Sequence, residues 1–596
     1  MAEVKETKAQ RAERLKRSKN AWEHFDEIRE FARRGFDSIP PEWFSTYFRP
    51  WGLYTQGDGQ GVTGGVGGEG KVAPYFMVRI RIPNGLLTSY QVREIAELSS
   101  KYGNGVADIT VRQNIQLHWV PIESVPEVLE KIWSIGLTTT GACGDVARNI
   151  TGCPLAGVHA HELADVSELA LAIDRELGGN AEFCNLPRKY KISVSACPDW
   201  CPYPEINDIG LTATWRRRGS QQRLASSQQP AAISIAGAQT GVSVPRVADG
   251  RELGFSVRVG GGLSTNPHLA VRLNAFVLPE QVIPVVRAIT EIFRESEPLR
   301  QSREKARLKF LFLEHGWTAE SFLAAIESRL GYKLDPAEPE LLPTHVHRDH
   351  LGVIPQKQRG FFTVGASVLR GRVTPEQLRV AADLAESYGD GQVRNTAMQN
   401  LLLINIPEAY VPKVVDELNN AGLPVKSSAF ARGTVACTGS EFCKLALTET
   451  KAFGRWLTEQ LEDRFPNYQD DLRLHITGCP NSCGQHWIAD IGIEGKKIKA
   501  DGKMVDAYYF CVGGSVGQIA SIARPVGYRC RAEEVPDAIG RLLDFFHSER
   551  YSGEALQHFL ARQDVATLRV ILANGSPAIA ERDVPVGAVP HGVEER

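Results

Sequence analysis

Residues 75–119, YFMVRIRIPNGLLTSYQVREIAELSSKYGNGVADITVRQNIQLHW, return in altered form as residues 361–405, FFTVGASVLRGRVTPEQLRVAADLAESYGDGQVRNTAMQNLLLIN. The offset is a constant 286 residues, so that Thr88 falls on Thr374, Tyr102 on Tyr388 and Gln113-Asn114 on Gln399-Asn400. It runs on through Val125-Pro126 over Val411-Pro412 and Gly136-Leu137 over Gly422-Leu423. Roughly twenty identities in about sixty ungapped positions are far beyond chance and mark an internal duplication. Each copy predicts strand, helix, strand, helix: FMVRIRI alternates, residues 90–101 carry an apolar helical period, ADITVRQNIQLHWV reads as a strand, and VPEVLEKIWSIGL is a helix ending near Gly136.

A second pair of segments matches at an offset of 282, ACPDWCPYPEINDIG over GCPNSCGQHWIADIG, placing Cys197 on Cys479 and Cys201 on Cys483. Further on, Val259-Gly260-Gly261 corresponds to Val512-Gly513-Gly514, where the offset has dropped to 253. The difference places an insertion in the first half, within the polar stretch around 215–245. The Gly run RVGGGLS, repeated as CVGGSVG, therefore reads as fold and not as a nucleotide loop.

The 596 residues carry a net charge of -2 and a pI near 6.7, which gives no global attraction to nucleic acid or to a membrane surface. The charged N-terminus holds no apolar signal segment, and no later stretch nears the roughly 20 apolar residues of a membrane span. A cytosolic protein is expected. Thiols stay reduced there, so 11 clustered cysteines point to metal or redox work and not to disulfides.

Duplicated halves share fold residues, so positions where they differ are candidates for chemistry. Arg79, Arg81 and Arg112 correspond to Gly365, Ser367 and Met398. Arg79 and Arg81 share one face of a strand whose other face is Phe76, Val78, Ile80 and Ile82. Lys189 and Lys191 share a face in LPRKYKISV, with Arg188 opposite, and Arg148 adds another cation. Such a set suits anion binding. The second half carries thiols instead: Cys437-x5-Cys443 and Cys479-x3-Cys483. Zinc pairs are typically spaced by two to four residues, so the x5 pair on a Gly-containing loop favours an iron-sulfur cluster over zinc. Cys184, Cys511 and Cys530 read as buried core thiols.

VACTGSEFC and TGCPNSCGQ resemble the cluster motifs of the sirohaem-containing nitrite and sulfite reductases. YFMVRIRIPNG, TVRQNIQLHW, NLPRKYK, EINDIG, KARLKFL and LGVIPQKQRG are similar to that family's segments, in order, over roughly 40–560. The resemblance implies an α+β fold of two pseudo-repeated halves, ferredoxin-like half-domains plus sirohaem and iron-sulfur domains, enclosing one cofactor site. It divides the chain into a charged helical segment (1–44), a first half-domain (45–138), a first sirohaem-binding domain (139–335), a second half-domain (336–424), a 4Fe-4S/sirohaem domain (425–570) and a flexible tail (571–596).

It also implies that Cys437, Cys443, Cys479 and Cys483 ligate a [4Fe-4S] cluster, with Cys483 bridging to sirohaem. Arg81, Arg148, Lys189 and Lys191 are implied to meet the substrate, and Arg79, Arg112, Asn481 and Cys483 to contact the cofactors. A polycarboxylate macrocycle needs such a cationic cradle to be buried. A monomer reducing a small oxyanion with electrons from ferredoxin is expected. The cluster loops lean to nitrite; Lys191, where plant-type nitrite reductases carry asparagine, leans to sulfite.

Arg303, Lys305, Arg307 and Lys309 are candidates for a donor-docking face. Tyr54 and Cys143 are expected near the substrate face, where oxidation could link them. A second metal site from Cys143, Cys153, Cys197 and Cys201 is disfavoured, because Cys143-x9-Cys153 breaks the C-x5-C spacing. The competing non-enzymatic reading is a zinc-stabilised repeat protein that binds an acidic partner, and it would be colourless.

Overall fold

The computed structural model describes residues 6–62, 69–217, 247–248, 250–344 and 347–574. In the first copy of the repeat, β1 (Leu53–Gly57), β2 (Val72–Ile80), β3 (Leu86–Thr88), β4 (Ala107–Ile109) and β5 (Ile115–Pro121) alternate with helices Ser89–Tyr102 and Val125–Ser134. A larger sheet follows, from β6 (Thr151–Gly152), β7 (Ile192–Ser195), β8 (Ile209–Arg217), β9 (Val247–Ala248), β10 (Arg251–Val259) and β11 (Val271–Val277). The second copy has β12 (Gly352–Pro355), β13 (Phe361–Ala366), β14 (Arg372–Val373), β15 (Gln392–Asn395) and β16 (Leu401–Pro407) with helices Pro375–Tyr388 and Val411–Asn420. Its larger sheet is built from β17 (Thr434–Ala436), β18 (Leu474–Thr477), β19 (Ile491–Ala500), β20 (Lys503–Val512) and β21 (Arg524–Arg531).

The small sheets exchange strands. Their orders are β1-β2-β5-β4-β14 and β12-β13-β16-β15-β3, so each takes its last strand from the other half. Arg372 pairs with Asp108, and Leu87 with Val393. The β4 and β15 edges are thereby each paired by a strand of the other half, which leaves fewer backbone groups unpaired. Phe76, Val78, Ile80 and Ile82 are fully buried in a core that also contains Val364, Ala366 and Leu403 of the second copy.

The repeated identities have local causes. Thr88 caps its helix by accepting from Gln91 N at 3.2 Å while Gln91 reaches back to Thr88 N, and Thr374 with Gln377 repeats this box. Asn114 Oδ1 accepts Ile82 N at 3.1 Å, as Asn400 Oδ1 accepts Val368 N at 3.0 Å. Gln113 and Gln399 sit at φ 59° and 64°, a left-handed bend that breaks the expected strand 107–120 into β4 and β5. The bend frees the Gln113 amide to donate across the junction to Asn395 O at 3.0 Å.

The larger sheets share one plan, three parallel strands followed by two antiparallel ones. Gly260 and Gly513 both take left-handed φ (77° and 78°), and a Cβ at Gly261 or Gly514 would strike the carbonyl of Glu205 or Trp487. The glycine runs are therefore turn chemistry. Most of the insertion expected at 215–245 lies outside the described residues. Helix Val565–Ala573 carries the ordered fold past the boundary expected at 570, and residues 575–596 of the expected tail lie outside the described ones. Among the described residues no helix is long and apolar enough to cross a membrane.

Candidate functional site

The cations of the first half gather around the entry to β7. Tyr190 is fully buried and stacks on Phe293 at 5.1 Å, and its carbonyl accepts Arg148 N at 2.8 Å. That anchor turns Lys189 and Lys191 to the opposite side. Arg112, in the β4–β5 bend, donates to Asn207 Oδ1 (2.9 Å), Asn149 O (2.5 Å) and Ile192 O (3.2 Å). Arg148 curls onto the carbonyls of Gly144 (3.0 Å) and Ala142 (3.3 Å). The carboxylate among them is Asp208, and Arg307 engages both its oxygens at 3.3 and 2.7 Å while Lys191 N donates to one at 2.8 Å.

The result is a surplus of desolvated positive charge. Burial, with Arg188, Arg307 and Arg148 nearby, brings the Lys189 ammonium down to about 7. Lys191 is held well below the usual lysine range by burial and by Arg112, Arg307 and Lys189. Burial and Arg148 bring even Arg112 down to about 9. Such mutual repulsion is relieved by an anion of several charges.

Arg79 and Arg81 part company. Arg81 is fully buried, its Nε 2.7 Å from Asp174 Oδ1, its Nη2 on the same oxygen, and its Nη1 on the carbonyls of Gly141 (3.1 Å) and Ala147 (2.8 Å). The substrate contact expected of Arg81 is therefore corrected: every nitrogen is already committed to holding helix Ser167–Leu177 and the 141–147 loop. Arg79 instead places Nη1 2.9 Å from Cys143 Sγ and its guanidinium 6.0 Å from the Tyr54 ring, with Nε buried and unpartnered. Cys143, Tyr54 and Cys483 favour its charged form against the cost of burial. Tyr54 and Cys143 thus both border Arg79.

Across the cleft, Cys437 follows β17 directly and Cys479 follows β18 after one glycine. Gly478 N donates to Cys437 Sγ at 3.2 Å, and Asn481 Nδ2 to Cys479 Sγ at 3.5 Å. Burial and the neighbouring thiols push Cys437 and Cys479 up, and Cys443 to about 12. Three such thiols ionise together only around a positive centre. Cys483 is exposed, and its charge acts on both Arg79 and Lys189, so it faces the cations. The residues thus fit a cluster on one wall and a polyanionic macrocycle against the other.

The docking strip expected at 303–309 is corrected. Arg307 turns inward to Asp208, Lys309 is buried on the carbonyls of Gly262, Leu263 and Asn266, and Arg303 binds Asp145 at 2.6 Å. Only Lys305 of the four is exposed, and it pairs with Glu314 at 2.8 Å. Sequence reasoning gave no role to Arg307 and Asp208 in the cleft, although KARLKFL and EINDIG carry them. Elsewhere Cys153, Cys197 and Cys201 bring their sulfurs within 4.8 Å of one another, able to hold a metal.

Desolvated cations facing thiols that must ionise together define a redox protein built around anionic and metal cofactors. Residues 143–334 and 427–574 match the nitrite and sulphite reductase 4Fe-4S domain, and residues 69–133 and 354–421 the nitrite/sulfite reductase ferredoxin-like half domain. The chain is 35% identical to an assimilatory ferredoxin-dependent nitrite reductase of Haloferax mediterranei over 94% of its length and 91% of that protein's. It is 36% identical to a ferredoxin–nitrite reductase of Synechococcus elongatus (92% and 98% covered) and 35% to a sulfite reductase [ferredoxin] of Mycolicibacterium paratuberculosis (91% and 92%). The solved NirA protein of Mycobacterium tuberculosis superposes with a TM-score of 0.84 at 32% identity, covering 95% of this chain and 98% of that one. The chain belongs to the nitrite and sulfite reductase family, oxidoreductases that use sirohaem and a [4Fe-4S] cluster.

Proposed function

We propose that this chain reduces nitrite to ammonia in a six-electron reaction, in the cytoplasm, with ferredoxin as electron donor. The observation that carries the reading is the gathering of Arg79, Arg112, Arg148, Lys189 and Lys191, of which Arg79 and Lys189 lie near Cys483. Cys437, Cys443, Cys479 and Cys483 would hold the cluster, with Asn481 bonded to the Cys479 sulfur, and Arg112 would meet carboxylates of the macrocycle. When bound, sirohaem coupled to the cluster supplies electrons singly to an oxyanion.

The chain's own residues do the rest. Arg79 and Arg148 orient the oxyanion through charge-assisted hydrogen bonds. Lys189 Nζ and Lys191 Nζ, whose ammonium forms are weakened by burial and like charge, give up protons readily as N–O bonds break. A bound polyanion partly offsets that weakening, keeping them charged between turnovers. Relatives named for nitrite and for sulfite are equally similar; the cluster loops VACTGSEFC and TGCPNSCGQ favour nitrite. Sulfite reduction is the second reading, and the Lys189/Lys191 pair supports it.

The test is a product assay on protein made in a host that synthesises sirohaem, with reduced ferredoxin as donor. Ammonium formed from nitrite without released intermediates, by protein carrying roughly five irons per chain, supports the reading. Colourless protein that turns over neither anion refutes it.

A further inference from the structure

We propose that the first half carries a second metal centre, a single zinc-class ion held by the thiolates of Cys153, Cys197 and Cys201 with the His159 imidazole as fourth ligand. The sequence spacing is that of the cluster site with one ligand changed, so it marks a metal site without choosing zinc over iron; the ligand types and sulfur separations make that choice. Cys153-x5-His159 with Cys197-x3-Cys201 mirrors Cys437-x5-Cys443 with Cys479-x3-Cys483. Cys143, grouped with these cysteines on sequence, lies instead against Arg79.

The fold places the two sets alike. Cys153 directly follows β6 as Cys437 follows β17, and Cys197 comes two residues after β7 as Cys479 comes two after β18. The loops share a conformation: Trp200 and Ser482 stand at φ 51° and 54°, Tyr203 and Gln485 at 51° and 62°. Trp200 N and Ser482 N each lie 3.4 Å from the carbonyl of the preceding cysteine, and Ser195 Oγ and Thr477 Oγ1 donate to those same carbonyls at 3.2 and 3.3 Å.

The spacing of the sulfurs selects the metal. All three thiols lie within 4.8 Å of one another; His159 Nδ1, 3.8 Å from Cys197 Sγ, groups within that limit with Cys197 and Asp199 and not with all three sulfurs, so its ring must turn inward to become the fourth ligand. Tetrahedral ligation at about 2.3 Å brings thiolates roughly 3.8 Å apart, which the three sulfurs reach by small side-chain turns. Cys437, Cys443, Cys479 and Cys483 form no group that tight among the described residues, as suits ligands spread around a larger cluster. Three cysteines and one histidine are a closed structural zinc set.

Among the described residues this side has no cation in the place of Arg112. Met398, the counterpart of Arg112, takes the Tyr203 hydroxyl at 3.5 Å. The surroundings instead join the halves: Asp199 N lies 3.4 Å from Cys197 Sγ, Asp199 binds Arg348 at 3.0 Å, and Lys357 N donates to Val158 O at 3.0 Å. His350, with Nδ1 buried and unpartnered, stands near Cys197. On binding, three S–H protons leave to solvent and the ion pins the 153–159 and 197–201 loops beneath the 347–357 segment.

The test is elemental analysis of the purified holoenzyme with zinc K-edge absorption, which is blind to its iron. About one zinc per chain, with three sulfurs near 2.3 Å and one nitrogen near 2.0 Å, is expected. Cys201→Ser should lose that zinc while keeping the iron and the visible spectrum, and His159→Ala should release it to a chelator that leaves the wild type loaded. If Cys201→Ser does not fold, the wild-type absorption edge decides alone. Iron and sulfide at twice the single-cluster level would overturn the proposal in favour of a second cluster. Absence of zinc, with Cys153, Cys197 and Cys201 alkylated in the native protein, would overturn it outright.

Discussion

Replacing Arg81 and Arg79 separately with methionine divides structure from chemistry at the end of one strand, β2. Arg81→Met strips Asp174 of its partner and leaves the Gly141 and Ala147 carbonyls unsatisfied in a site where Arg81 itself is fully buried. Breaking a buried pair by removing one member costs about 3–5 kcal/mol. Asp174 keeps 17% side-chain exposure, which places the loss near the lower end. At roughly 2–4 °C per kcal/mol for domains of 150–250 residues, the melting temperature should fall by roughly 6–12 °C. Adding Asp174→Leu should restore much of that loss, since the orphaned charge goes with it. Arg79→Met removes a cation whose partners are Cys143 and the cleft. Losing a charged hydrogen bond worth about 2–3 kcal/mol to the reacting oxyanion should lower kcat/KM roughly 30- to 150-fold with little change in melting. Calorimetric melting and turnover with a chemically reduced donor read the two effects. The reasoning fails if Arg81→Met melts like wild type but is inactive, or if Arg79→Met chiefly destabilises.

Lys191→Asn should shift the nitrite-to-sulfite ratio of kcat/KM towards nitrite by about tenfold; an unchanged ratio would mean that the position does not set substrate choice. Burial raises the Asp145 carboxyl, but Arg303, Lys16 and Arg188 outweigh it and hold the group far below its usual 3.8. Its stabilisation is therefore present above about pH 4 and lost as pH falls further, so the urea-unfolding gap between wild type and Asp145→Asn should be constant from pH 7 to 5 and shrink below pH 4. A fragment of residues 1–335 lacks β14 and exposes the β4 edge. Alone it should aggregate, and with residues 336–596 coexpressed it should form a soluble pair; a stable isolated fragment would contradict the role of the exchanged strands.

The repeat was legible because its identities sit where geometry is demanding, at the Thr88 and Thr374 caps and at Gln113-Asn114 and Gln399-Asn400. The exchange of β3 and β14 was not, since strands of three and two residues carry no period. Alternation put Arg79 and Arg81 on one face but could not say which is neutralised, because Asp174 lies on a helix 93 residues away. The 303–309 segment looked like a charged surface for the same reason, its partner Asp208 being 99 residues distant from Arg307. His159 carries no signal in a four-thiol pattern, because the first half has an imidazole at the position where the second half has the Cys443 thiol.

The central claim is that this cleft reduces nitrite in preference to sulfite. The ratio of kcat/KM for the two anions, measured on sirohaem-loaded enzyme with one chemically reduced donor, tests it most directly. The account predicts a ratio favouring nitrite by at least about tenfold, a difference of roughly 1.4 kcal/mol. A preference for sulfite would contradict it and give the Lys189/Lys191 pair the deciding role.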